Sequence, residues 1–138
     1  MESIRIKERE IPLIYTVLEM KEMQEEIGPL SDLNYIVCGR NKEDPTDQSR
    51  YGTPEHLTAI AKMVRIMGNA GLEEAGYEPD LTEKMIMRGL KPWELVDAVS
   101  TCMRAMTDGM KSEIPVPKKK GRVDVTLEEM NRKKKRGS

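Results

Sequence analysis

The run beginning Thr53-Pro54-Glu55 constrains this chain more than any other stretch of it. Thr offers a side-chain oxygen to an orphan amide at a helix start, Pro occupies the first helical position, where no backbone bond is lost, and Glu suits the positive end of the dipole. Leu57, Ile60, Ala61, Val64, Met67, Gly68 and Gly71 then recur at steps of three and four, which predicts a long amphipathic helix. Gly68 and Gly71 lie on its apolar side. Each weakens a helix by ~1 kcal/mol relative to Ala, so their presence there predicts another backbone packed closely against them.

Other segments organise around that helix. Ile4 and Ile6 alternate with Arg5 and Lys7, and Ile11, Leu13 and Tyr15 form a second alternating set, so residues 3–16 predict a small hairpin. The period changes at Thr16. Val17, Met20, Met23 or Gln24, and Ile27 share one helical face, with Glu19, Glu22, Glu25 and Glu26 on the wet side and Gly28-Pro29 as the stop. Ser31 to Cys38 predicts a second helix, capped by Ser31, and Leu30, Leu33, Tyr35, Ile36 and Val37 predict that the segment lies largely buried. Gly39 to Gly52 is polar, rich in turn residues and without periodic apolar positions, which predicts a mobile loop. Asp80 and Glu83 have capping-box spacing ahead of a short helix ending at Gly89, and Pro92 opens a last long helix. Its stripe is Leu95, Val96, Val99, Cys102, Met103, Met106 and Met110.

Charge separates the chain into two parts. Residues 1–110 hold 13 basic and 20 acidic side chains, and residues 111–138 hold 10 basic and 4 acidic. The acidic body disfavours nucleic acid, which needs clustered Lys and Arg, and only the tail offers such clusters, at Lys118, Lys119, Lys120, Arg122 and from Arg132 to Arg136. Prolines at 115 and 117 mark a linker. The fold expected is mainly α: a small N-terminal β-hairpin, then a bundle of about five helices, compact over residues 1–111, with a disordered basic C-terminal tail over 112–138. A short helix over 127–135, with Thr126 and Glu129 at capping-box spacing, would fold only on contact with a partner. No apolar run reaches the ~18 residues of a membrane span and the N-terminus lacks a signal-peptide pattern, so a soluble, intracellular protein is expected.

The chemistry-bearing residues are few. His56, the single histidine, falls in the first turn of the Thr53 helix, where an exposed surface position is the ordinary outcome. Cys38 and Cys102 have no CxxC spacing and apolar flanks, which predicts packed, inert thiols and neither a zinc site nor a disulfide framework. Phosphate-loop, dinucleotide, zinc-protease and nucleophile-elbow motifs are all missing, so no catalytic residue, metal or cofactor is expected. Methionine is what stands out: 11 Met and no Phe. Met63, Met67, Met85, Met87, Met103, Met106 and Met110 lie on or beside helical stripes, and two readings apply: a core packed with Met in place of Phe, or a thioether groove that re-packs against varied apolar partners.

The order of parts is a hairpin, an amphipathic helix ending Glu-Glu-Ile-Gly, a variable loop, a long helix ending Asn-Ala-Gly-Leu-Glu, a short Leu-Thr-Glu helix, a last long helix and a charged tail. In that order, over roughly residues 3 to 112, the chain resembles the tail assembly chaperones of long-tailed bacteriophages and prophages of Gram-positive hosts. The resemblance implies a non-enzymatic helper in the host bacterial cytoplasm, absent from the mature virion. It would bind the tape measure protein and recruit tail tube subunits, with self-association among its contacts. It also implies a longer product made by ribosomal slippage, for which the lysine runs at 118–120 and 133–135 are candidate sites. Partner contacts are expected through the Met63 and Met67 groove, the Met103, Met106 and Met110 groove and Lys118, Lys119 and Lys120. The alternative class is a small helical nucleic-acid-binding regulator that uses the basic tail.

Overall fold

The computed structural model describes residues 2–112 of the 138-residue chain. The expected tail, its helix at 127–135 and Lys118, Lys119 and Lys120 lie outside the described residues. The protein is mainly helical with an N-terminal antiparallel hairpin: β1 (Ser3–Ile6), β2 (Arg9–Pro12), α1 (Val17–Glu26), α2 (Leu30–Cys38), α3 (Pro54–Glu74), α4 (Glu83–Gly89), a 3-10 turn (Pro92–Glu94) and α5 (Leu95–Ser112).

In the hairpin Ile4 pairs with Ile11 and Ile6 with Arg9, and the two-residue connection sets Lys7 at φ 59°, a conformation that side chains other than Gly seldom adopt. The alternation continues past β2, burying Leu13 and Tyr15 with Ile4, Ile6 and Ile11. This segment runs directly over α3. The Ile14 amide donates to the Met67 carbonyl (3.2 Å), and a Cβ on Gly71 would stand 1.8 Å from the Pro12 carbonyl oxygen. The close backbone approach expected at both helix glycines is made at Gly71 alone, by the end of β2 and the segment that follows it; Gly68 instead faces the Leu81 and Ile11 side chains.

Helix α3 is the hub. It packs on α1, α2, α4, α5 and β2, and its own residues from Ala59 to Leu72 supply much of the core. Two polar clamps fix its neighbours. Arg65 pairs with Glu26 at the end of α1 and with Glu83 at the start of α4. The Asn69 side chain accepts from the Leu81 amide (2.9 Å) and donates to the Leu81 carbonyl (3.1 Å), so an extended segment with no helix of its own is held to α3 by a matched pair.

Several local expectations are corrected. In α1 the inward residues are Met20, Met23 and Ile27, whereas Val17 is 79% exposed. Glu19, expected on the wet side, is buried because its carboxylate turns back to accept from the Thr16 amide (2.8 Å) and hydroxyl (2.5 Å), closing a capping box. Helix α2 begins one residue before Ser31, with Pro29 as its cap position, and the Ser31 hydroxyl faces Asp32 instead of an amide. It is less buried than expected, since only Leu33 and Val37 are fully covered. Thr82, not Asp80, caps α4, by accepting from the Met85 amide (3.1 Å), while Asp80 pairs with Arg9. No described helix is long and apolar enough to cross a membrane.

Candidate interaction trough along the last helix

Helix α5 has three faces, and their assignment defines the site. Ala98, Cys102 and Ala105 point into the core, and Gly109 lets α5 approach the Tyr15 backbone, where a Cβ would stand 2.4 Å from the carbonyl oxygen. Asp97, Arg104 and Asp108 are exposed to water. Val96, Val99, Met103, Met106 and Met110 form the remaining face. No other described element covers it fully: Val96 is 60% exposed and Met110 half exposed.

Three concavities follow that face in sequence. The first, about 420 Å³, lies between α3, α4 and the 3-10 turn, walled by Leu57, Ile60, Ile86, Met87, Leu90 and Leu95. The second, about 250 Å³, shares Tyr51 and Ile60 with the first and adds Val96, Val99 and Met103. The third, about 270 Å³, shares Val37 and Met103 with the second and is completed by Met23, Leu30, Leu33, Met63, Met106 and Met110. Each shares wall residues with the next, so the three are neighbouring concavities that together make a trough-like row beside α5, a helix ~27 Å long at 1.5 Å per residue; the middle one also carries Arg40, Gln48, His56 and Ser100. Trp93, 77% exposed, stands next to Pro92 at one end, and Met110 closes the other.

The middle of the trough is held by His56. Contrary to expectation this side chain is buried, at 3% exposure. Its Nδ1 accepts from the Gly52 amide (2.9 Å), which leaves Nε2 to carry the proton and donate to the Val37 carbonyl (2.9 Å). The Tyr51 ring lies against the imidazole, with centroids 4.8 Å apart. At the near side Gly39, with φ 69°, closes α2, and a Cβ there would press on both the Tyr51 backbone and the imidazole. His56 thus joins the two ends of the 40–51 loop, whose interior is organised by side-chain turns from Asn41, Asp44 and Asp47.

Of the sequence-nominated residues, the structure brings Met103, Met106 and Met110 to the trough. Met63 is 1% exposed and serves as floor of the third concavity, and Met67 is 0% exposed within the core, so the expected Met63 and Met67 groove does not exist as an open surface. The reason is the hairpin: the end of β2 and the segment after it run over α3 beside Met67, at Gly68 and Gly71. Met87, one of the methionines on the expected stripes, lines the first concavity together with Tyr51 and Leu90, which were not expected there, and exposed Trp93 follows its lining residue Pro92. The signal available for them was the single Trp of the chain, placed directly after a helix-opening Pro.

Reactive chemistry is weak here. Burial pushes the Cys102 thiol up to about 12. Burial also raises Cys38, with nearby Arg40 opposing it, although this side chain is only half-buried, whereas core packing was expected. Among the described residues no group of three or more His, Cys, Asp or Glu is placed to hold a metal ion. No protein-family model, curated protein or solved structure matches the chain.

Proposed function

We propose that the protein is a non-enzymatic tail assembly chaperone of a long-tailed phage or prophage, acting in the host cytoplasm by holding amphipathic segments of the tape measure protein and recruiting tail tube subunits. The observation that carries this reading is the row of three neighbouring, mainly apolar concavities beside α5, walled at one end by Met103, Met106 and Met110 and at the other by Met87, Leu90 and Leu95. A long helical client presents apolar side chains every three or four residues, and a groove about five turns long accepts such a stripe in the manner of helix-in-groove recognition. Unbranched thioethers tolerate differences in side-chain shape between successive client segments. Self-association along the client would follow from several copies binding one long chain.

The test is co-expression with a tape measure protein encoded beside this gene. Native protein is expected to keep it soluble, and a Val96→Glu/Met106→Glu variant is expected not to. Undiminished solubility and tail formation with that variant would sink the proposal.

A further inference from the structure

We infer that the trough, when it holds no client, is occupied in cis by the chain's own C-terminal arm, through the apolar residues Val123, Val125, Leu127 and Met130. Three observations point to this occupant. Helix α5 ends at Ser112, two residues beyond Met110, so the described chain ends close to the third concavity, which Met110 lines. Ten residues, 113–122, separate Ser112 from Val123, and a chain of that length spans up to ~33 Å, more than the ~27 Å of α5. All three concavities are therefore within reach.

Charge supplies the third argument. The apolar residues of the arm are bracketed by Lys118, Lys119, Lys120 and Arg122 on one side and by the run from Arg132 to Arg136 on the other. The body they would lie against carries seven more acidic than basic side chains over residues 1–110 (20 against 13). An arm of this composition gains long-range attraction to its own body as well as apolar contact, and the tether supplies an effective concentration in the millimolar range, so modest intrinsic affinity suffices for substantial occupancy. A client helix would compete with the arm for the same apolar walls.

The inference rests on the reading of the trough as a helix-binding site but not on which protein supplies the helix. The experiment uses the full chain, labelled with carbon-13 at the methionine methyls, beside a full-length Leu127→Glu/Met130→Glu variant, whose altered positions lie outside the described residues. The expected result is a shift of the Met103, Met106 and Met110 methyl signals between the two proteins, unchanged over a wide range of protein concentration, with buried Met67 unmoved. Identical spectra would overturn the inference. So would a shift that grows with concentration, which would assign the trough to a second copy. Titration with an amphipathic helical peptide of Leu and Lys, of the length of α5, separates this from the functional proposal. Displacement of the arm predicts roughly two- to tenfold tighter peptide binding by the variant. Equal binding by both proteins counts against the arm and leaves the chaperone reading standing, whereas shifted methyls without peptide binding support the arm and count against that reading.

Discussion

His56 and Val37, 19 positions apart, are joined by a buried hydrogen bond from imidazole Nε2 to the carbonyl at 2.9 Å. The bond attaches the end of α2 to the first turn of α3, and the second ring nitrogen takes the Gly52 amide, so one side chain satisfies two backbone groups that no helix serves. An aromatic of similar shape would fill the space but leave both groups unpaired. The Val37 carbonyl is buried, whereas Gly52 is exposed and its amide can turn to water, so the one buried orphan costs about 1–3 kcal/mol. His56→Phe is therefore expected to lose about 1–3 kcal/mol in denaturant unfolding, with His56→Ala at least as severe because a cavity is added.

Gly71 and Gly68 make a paired test of the close approach between α3 and the strand after the hairpin. A methyl at Gly71 would meet the Pro12 carbonyl carbon and oxygen, atoms that cannot move without shifting the strand. At Gly68 it would meet the Leu81 Cδ1 and Ile11 Cγ2 methyls, of which the Leu81 end can rotate away. Overpacking costs about 1–3 kcal/mol or more, while Ala returns up to ~1 kcal/mol in helix propensity. Gly71→Ala should unfold at clearly lower denaturant than Gly68→Ala, and a Gly71→Ala protein as stable as native would refute the packing described.

Much of this fold was legible in the chain because its boundaries are written in local chemistry. Thr53-Pro54 starts α3, Gly28-Pro29 ends α1, and Gly39, with its positive φ, ends α2. What was not legible depends on long-range contact. Glu19 is buried only because it reaches back to Thr16, and His56 only because Val37 and Gly52 converge on it. The partner-facing methionines divided the same way. Helical spacing placed Met63 and Met67 on an apolar face, but spacing cannot say that the strand carrying Pro12 and Ile14 will lie over that face. The first concavity needed α4 to turn against α3, a step directed by the Asn69 clamp on Leu81, which has no periodicity to reveal it.

The two thiols should differ sharply in reactivity. Cys102 is fully buried with its ionisation pushed up to about 12, so at pH 8 it offers almost no thiolate, whereas half-buried Cys38 is partly accessible. A maleimide or disulfide reagent is expected to modify one equivalent, at Cys38, and to reach Cys102 only on unfolding. Alkali should also weaken the fold through Cys102. Its folded pKa is raised above the unfolded value of about 9, so the linked stability is complete below pH 9 and is lost as pH rises toward 12. Each pH unit in that window removes about 1.4 kcal/mol for one group. The stability difference between native protein and Cys102→Ala should therefore narrow between pH 8 and pH 10.5, and a constant difference would contradict the assigned burial.

The trough and the core can be separated by placing the same charge in each. Val96 is 60% exposed and Met106 partly so, which lets a glutamate at either position turn to water, at a cost of ~1 kcal/mol or less for Val96 and somewhat more for Met106. Met67 is sealed beneath the strand and has no such route; a carboxylate there must either ionise in an apolar interior or take up a proton, and both outcomes cost several kcal/mol. Met67→Glu is accordingly expected to fail to fold. Val96→Glu is expected to keep its helical circular dichroism and its unfolding midpoint while losing affinity for an amphipathic helix by tenfold or more, the equivalent of ~1.4 kcal/mol. The comparison is informative in either direction. A Val96→Glu protein that unfolds would move this residue into the core, and one that folds and binds undiminished would place the ligand on another face of the molecule.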